Sequence, residues 1–362
     1  MTTTTPEAPN NLTALLVGCG SIGKKHLQEI LPKFYSVAVV DINAEALEWA
    51  KAEAERVRET GAWAAHVTVA TSLDELVEYA PYDVATIANW GPDHVPTTRA
   101  LQAAGQKNFV VEKPLADSIA DARDIMGEVS RGGGRLWINL TRRFSGLPAG
   151  ILRVAAEHNL GELVGVTVTG GARCIATNGI HYLDLATCLF GAEPESVTAD
   201  LATQNINPRH ESLAFYEGTV NYTYSGGRRF SCVFLNGSAV TENVRFYWRN
   251  AEGEMLPTGE FVLRLRNPDE IAQYPAVTRT GYALNEAFRG NLWLTEDGRS
   301  GMTALYDQVV AAAGTDVAPA EVVGGRTAED LLAALHASEL GQRLALPVDE
   351  SLVDINKHWS IS

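Results

Sequence analysis

Positive charge is what this chain lacks most. Among 362 residues there are 29 Lys and Arg against 44 Asp and Glu, a formal net charge of −15. A surface that acidic repels phosphate backbones and anionic lipid, so nucleic acid is not expected as a partner. No run approaches the roughly 20 apolar residues of a membrane span, and Met1 to Asn11 carry neither the basic start nor the apolar stretch of a signal peptide. Neither membrane nor secretion is expected. Cysteine is scarce: Cys19, Cys174, Cys188 and Cys232 fall in no CxxC or metal-ligand spacing, which predicts free thiols in a reducing compartment and a cytoplasmic protein. His66, His158, His210, His336 and His358 show no HExxH-type spacing, so no metal site is expected.

What is present is ordinary globular material, 46% hydrophobic and 20% charged, in a length that suits two domains. From Leu12 to about Asn139 short apolar runs alternate with helix-period segments, as in repeated β-α units around a parallel sheet. The strands are Ala14 to Val17, Val37 to Val40, Val84 to Ala88, Phe109 to Val111 and Leu136 to Ile138. Continuous apolar runs of this kind are expected where both faces of a sheet are covered. Ser72-Leu73-Asp74-Glu75 fits a capping box that starts a helix.

After about Thr141 the pattern becomes alternating. Thr219 to Tyr224 meets Arg229 to Phe234 across Gly226-Gly227, a hairpin signal, and Val164 to Val168, Val244 to Trp248 and Phe261 to Leu265 read as further strands. A late helix is expected from about Thr327 to Leu340, closed by Gly341. The predicted fold is therefore α/β: β-α units around a parallel sheet over residues 12–140, then an α+β domain over 141–362 with a large, open, mainly antiparallel sheet.

Gly18-Cys19-Gly20-Ser21-Ile22-Gly23 is a GxGxxG set directly after a strand and opening a helix. The first glycine makes the turn, the second lets a pyrophosphate approach the backbone, and the third lets helix and strand pack closely. Asp41 ends the second strand about 20 residues on, where a carboxylate can accept from a ribose diol. The same charge would repel the 2′-phosphate of NADP, and Ile42 and Asn43 supply no arginine to hold it, so NAD is expected and residues 12–140 read as a Rossmann dinucleotide-binding domain. Gly18 to Lys24 also satisfies GxxxxGK, but Lys25 stands where a triphosphate loop needs Ser or Thr for magnesium. Lys24, Lys25 and His26 then read as a partly solvated first helical turn.

Three further segments stand out: Asn89-Trp90-Gly91-Pro92-Asp93-His94 after the fourth of these strands, Glu112-Lys113-Pro114 after the next, and Gly179-Ile180-His181-Tyr182-Leu183-Asp184 in the second half. The first two should line a ligand crevice at the carboxyl ends of the strands. With the glycine turn, their order and spacing resemble the glucose-fructose oxidoreductase, inositol dehydrogenase and rhizopine catabolism (Gfo/Idh/MocA) family, from Leu15 to about Leu346. The resemblance implies that Lys113 sits beside both nicotinamide and the reacting hydroxyl, that His181 is the acid/base, and that Arg142 and Arg143 approach cofactor and substrate. It implies that Asn89, Trp90, His94 and Glu112 belong to the cofactor side with Gly18, Gly20, Ser21, Ile22, Gly23, Asp41 and Ile42.

Those roles are chemically coherent. Hydride leaving a secondary alcohol needs removal of the hydroxyl proton, which suits histidine near neutral pH, and a lysine ammonium can stabilise the developing alkoxide. The chain departs from the family pattern at Thr177, where many members carry an aspartate; Thr177 and Asn178 are read instead as substrate hydrogen-bonding residues, and Asp184 as structural. The expected activity is an NAD-dependent oxidoreductase interconverting secondary alcohol and ketone on a sugar, polyol or sugar derivative. Alternatives are a lytic or hydrolytic sugar enzyme that recycles its NAD, and a non-catalytic dinucleotide-sensing regulator. The resemblance also implies a homodimer or homotetramer.

Overall fold

The computed structural model describes residues 9–204, 213–235, 237–275, 283–313 and 321–361. The chain divides into two compact units, one of Met1–Leu140, Met302–Glu329 and Asn356–Ser362, the other of Thr141–Gly301 and Asp330–Ile355.

The first unit is a parallel sheet. Its strands are β1 Thr13–Val17, β2 Ser36–Val40, β3 His66–Ala70, β4 Val84–Ile87, β5 Asn108–Val111 and β6 Arg135–Ile138, joined by Glu321–Val323 (β15 in chain order). They run β15-β6-β5-β4-β1-β2-β3, so the order reverses between β1 and β4. At that reversal two consecutive crossovers leave in opposite directions and open a crevice outside the carboxyl ends of the strands. All four residues of β4 are buried, and four of the five in β1 and in β2, because helices cover both faces. The capping box is present: Ser72 Oγ accepts from Asp74 N at 3.3 Å and Glu75 Oε1 from Ser72 N at 3.0 Å, but the helix it opens is only Asp74–Val77.

The sequence reading put all of 141–362 in the second domain, and the structure differs. Residues 302–329 return to the first unit, where Glu321, Val322 and Val323 pair in parallel with Arg135, Leu136 and Trp137. The chain end returns as well, with Trp359 N donating to Asp117 O at 2.9 Å and Ile361 buried. Strand pairing and end-docking are long-range contacts, which local periodicity does not encode.

The second unit carries a nine-stranded sheet, built from β7 Leu163–Gly170, β8 Pro194–Gln204, β9 Phe215–Tyr224, β10 Arg229–Phe234, β11 Asn243–Trp248, β12 Ala251–Met255, β13 Glu260–Arg266, β14 Leu284–Asn291 and β16 Leu344–Ala345. The order is β14-β13-β12-β11-β7-β10-β9-β8-β16, antiparallel except between β10 and β7. The expected hairpin is there: Thr223 faces Arg229, and Gly226 and Gly227 turn at φ +72° and +77°. Burial alternates along β10 and β11, so one face is buried under helices Ile180–Phe190 and Gly325–Leu340, with Leu183 and Leu331 against Tyr222, Phe230 and Cys232. No helix among the described residues is long and apolar enough to cross a membrane.

The docked chain end has a pH-dependent clasp. His358 Nδ1 bonds Asp117 Oδ1 at 2.8 Å, and that bond raises the imidazole above its ordinary pKa. A group raised on folding contributes its full stabilisation below its unfolded value, about 6.5 for histidine, and loses it as pH rises through the folded value. An NMR titration of the His358 ring should therefore give a midpoint above 6.5 that drops in Asp117→Asn. Equal midpoints in the two proteins would remove the clasp.

Candidate functional site

In the first unit, the turn after β1 is fixed by close approach. Gly18 has φ +90°, donates its N–H to Val40 O at 2.8 Å, and lies so near the end of β4 that a Cβ would stand 2.6 Å from backbone atoms of Ala88 and Asn89. A Cβ on Gly23 would collide with the Gly18 carbonyl, whereas one on Gly20 would meet nothing within 4 Å. Two glycines thus serve packing and the middle one leaves an open cradle. Helix Ser21–Ile30 starts there without a side-chain cap, so its first amides remain available to an anion.

Asp41 closes the other side. Its Oδ2 accepts from Cys19 N at 2.6 Å and its Oδ1 from Asn43 N at 2.8 Å, which anchors the carboxylate to the glycine turn. Ile42 is 94% exposed beside it, an apolar face open to a ring. Burial and the Asp41 charge push the Cys19 thiol up to about 11, so it is no nucleophile near neutral pH. Ser21 is exposed and Ile22 half-buried. Asn89 donates to Thr97 Oγ1 at 2.9 Å, while its Oδ1 is buried with no hydrogen-bond partner among the described residues. An open cradle, uncapped amides, an anchored carboxylate and an orphaned acceptor fit a dinucleotide.

Three expectations change. His26 is fully buried rather than partly solvated: Nε2 lies 2.9 Å from Glu112 Oε1 and Nδ1 2.8 Å from Tyr306 Oη. Glu112 turns inward, with Oε1 also accepting from Asn139 Nδ2 at 2.5 Å and Oε2 from Lys113 N at 3.2 Å, so its side chain is not a surface contact for a cofactor. Burial pushes this carboxyl up, but the His26 bond, the charges of His26 and Lys113 and the Asn139 bond outweigh it and hold it at about 2. His94 is also buried, its ring between Pro114 O at 2.9 Å and Asn89 O at 3.3 Å, and burial lowers its pKa despite those acceptors. It ties the β4 loop to the β5 loop as a neutral strut. Trp90 is 46% exposed and Lys113 half-buried.

In the second unit, a π-type turn Ile175–Gly179 leads into helix Ile180–Phe190 and sets His181 in its first turn. Thr177 Oγ1 donates to Asn178 Oδ1 at 3.2 Å, which also accepts from Cys174 N at 3.4 Å. Both side chains and His181 are half-buried. The two arginines separate. Arg143 is clamped by fully buried Asp184, with Nε 3.0 Å from Oδ2 and Nη2 2.5 Å from Oδ1, so its guanidinium is committed within this unit rather than held out for cofactor or substrate. Arg142 instead lies 4.1 Å over the Tyr182 ring and lines a cavity of about 210 Å³ with Glu242, Met255 and Trp293. Sequence reasoning missed Glu242 and Trp293; the sequence itself carries no motif around either.

Residues 12–140 match the sequence profile described as "Oxidoreductase family, NAD-binding Rossmann fold", GFO_IDH_MocA. The chain is 31% identical over 170 residues to an inositol 2-dehydrogenase/D-chiro-inositol 3-dehydrogenase of Shouchella clausii, covering 45% of this chain and 44% of that one. It is 26% identical over 200 residues to an inositol 2-dehydrogenase of Rhizobium meliloti, covering 52% and 57%. The chain thus spans about half the length of the curated relatives it matches. Among solved structures, the WlbA dehydrogenase of Bordetella pertussis, in complex with NADH and UDP-GlcNAcA, is similar at TM-score 0.67 and 20% identity, over 95% of this chain and all (100%) of the other. The yvaA protein of Bacillus subtilis matches at TM-score 0.70 and 14% identity, over 94% and 99%. At such identities the structural likeness establishes the fold.

The Arg143–Asp184 clamp is open to a stability test. Removing one partner of a buried ion pair strands the other charge, so Asp184→Asn should cost about 3 to 5 kcal/mol in urea unfolding. A loss under about 1 kcal/mol would mean that solvent already screens the pair.

Proposed function

We propose that the chain, whose residues 12–140 match the profile of NAD-binding Rossmann oxidoreductases of the Gfo/Idh/MocA type, is a dehydrogenase that prefers NAD and interconverts a secondary alcohol and a ketone on a sugar or polyol. The observation that carries the dinucleotide half is the open cradle at Gly20 beside uncapped helix amides, with Asp41 anchored to the same turn. The amides bind the pyrophosphate and Asp41 accepts from the ribose hydroxyls. Ile42, exposed beside Asp41, would offer the adenine an apolar face. Bound NAD would supply the hydride acceptor.

The chain's own residues handle the proton. A ring nitrogen of His181 takes the hydroxyl proton, and the Lys113 ammonium stabilises the charge that develops on that oxygen. Thr177, Asn178 and Arg142 bind the remaining hydroxyls, and the Arg142 cavity, below the about 300 Å³ of the smallest drug-sized pockets, suits part of a single ring. Arg143 positions the helix that carries His181 through Asp184. The matched relatives are inositol dehydrogenases, which supports a cyclic polyol or sugar as substrate.

Purified protein with NAD and a panel of sugars and cyclitols should develop nicotinamide absorbance. Lys113→Ala and His181→Ala should each lower kcat about a hundredfold or more, within the range of general acid-base catalysis. Full turnover in Lys113→Ala would sink the assignment. Asp41→Ala should shift the ratio of kcat/KM for NAD over NADP toward NADP; a constant ratio would take the preference away from this residue.

A further inference from the structure

The buried polar cluster behind Lys113 has no part in the proton chemistry above, yet it joins the helix that opens at the glycine turn to β4 and to the ends of β5 and β6. His26 lies on the helix that opens at the glycine turn, Thr86 on β4, Glu112 at the end of β5 and Asn139 at the end of β6; Tyr306 comes from helix Gly301–Ala313. The chain of contacts runs Thr86 Oγ1 to Tyr306 Oη at 2.9 Å, Tyr306 Oη to His26 Nδ1 at 2.8 Å, His26 Nε2 to Glu112 Oε1 at 2.9 Å, with Asn139 Nδ2 on the same oxygen at 2.5 Å. The second carboxylate oxygen, Oε2, accepts from the N–H of Lys113 at 3.2 Å.

We propose that Glu112 is a positioning residue that sets both the place and the charge of Lys113, and that His26 and Asn139 keep its carboxylate ionised for that work. The proposal rests on Lys113 being catalytic. Place follows from the backbone bond: an acceptor held by two donors on one oxygen fixes the Lys113 peptide with the other. Charge follows from reciprocity. The Lys113 ammonium favours the ionised form of Glu112, so ionised Glu112 must favour the ammonium form of Lys113 by the same coupling. An ammonium, not a free amine, is the form that stabilises a developing alkoxide.

A merely structural plug has a cheaper solution. Burying a carboxylate is costly, and a well-packed apolar residue at such a position is commonly neutral or stabilising. Here both Glu112 oxygens accept from donors, in a network spanning two helices and three strands, while Asn139 Oδ1 is buried with no hydrogen-bond partner among the described residues. Such a network makes the glycine turn and the Lys113 loop a single rigid body. The other titratable groups facing this carboxylate within the unit are His94 and Tyr306, both buried.

The test reads Lys113 itself. The full chain is reductively ¹³C-methylated, the Lys113 resonance is assigned by its loss in Lys113→Arg, and its titration midpoint is followed with and without saturating NAD. In Glu112→Gln the midpoint should fall by about one unit, the low end for losing a neighbouring opposite charge. With NAD saturating, kcat should fall about a hundredfold, as for small misplacement of a reacting group, while the KM for NAD changes much less. Glu112→Asp, which keeps the charge, should restore most of the midpoint and only part of kcat. An unmoved midpoint in folded Glu112→Gln overturns the proposal. Should that variant not fold, His26→Gln is read the same way: it removes a donor to the carboxylate, so a smaller fall is expected and an unmoved midpoint overturns it. Full turnover in Lys113→Ala would sink the catalytic reading of the lysine whatever the midpoints do, whereas loss of turnover there with an unmoved midpoint in Glu112→Gln sinks only the present inference.

Discussion

One steric constraint organises the first unit: the Gly18 backbone stands so close to the end of β4 that no side chain fits between them. The approach is possible because β1 and β4 are neighbours, with Val17 opposite Ile87, at the point where strand order reverses. With Gly18 there, the following helix must start within a few residues, and Gly23 must also be bare for that helix to pass the Gly18 carbonyl. The cradle at Gly20 is then a by-product of two contacts made elsewhere. Asp41, on the loop after β2, adds a polar tie to the same turn through the Cys19 amide, so the uncapped amides and the carboxylate proposed for the ribose are held together.

Behind that surface, the interior is polar where an ordinary core would be apolar. Glu112, His26, Asn139, Thr86 and Tyr306 are all buried. Isolated, any of them would oppose folding, since a buried group without a partner costs roughly 1 to 3 kcal/mol and a charge more. Together they satisfy most of one another's donors and acceptors, with Asn139 Oδ1 the atom left without a partner among the described residues, and the geometry of Glu112 is then over-determined. Replacing one partner is therefore expected to be worse than replacing the whole set, and the loops that end β5 and β6 share one arrangement. The Arg143–Asp184 pair follows the same logic in the second unit, where it fixes the helix bearing His181.

What the residues disclosed in advance, and what they hid, follows from sequence separation. The glycine turn, the capping box at Ser72 and the hairpin at Gly226 are each written within four to sixteen residues, and each is found as expected. His26 was misplaced because its partners lie 86 and 280 residues away, and nothing near it signals burial. Arg142 and Arg143 are adjacent in sequence yet face different surroundings, a distinction visible only once Asp184 and Tyr182 are in place. Among the strands that escaped notice, three lack an apolar rhythm: β3 buries only Ala70, β12 reads Ala-Glu-Gly-Glu-Met, and β14 is exposed along most of its length; β8, β15 and β16 escaped notice too. The return of residues 302–329 to the first unit is a matter of which edge remained unpaired, which no local pattern records.

The acidity with which the sequence opens has a physical consequence for the proposed ligand. A chain of net charge −15 has no long-range attraction for an anionic dinucleotide, so its affinity has to come from short-range groups. The structure places those groups in the backbone: uncapped helix amides and a bare Gly20, with Lys24 turned onto the Trp49 ring at 4.7 Å and Lys25 exposed. Backbone dipoles release no condensed counterions, so binding at such a turn depends only weakly on salt, unlike binding by a basic surface. The same economy is what the proposed preference for NAD would draw on: against an already negative background, Asp41 would repel a 2′-phosphate, and its sequence neighbours Ile42 and Asn43 carry no cation to offset that repulsion.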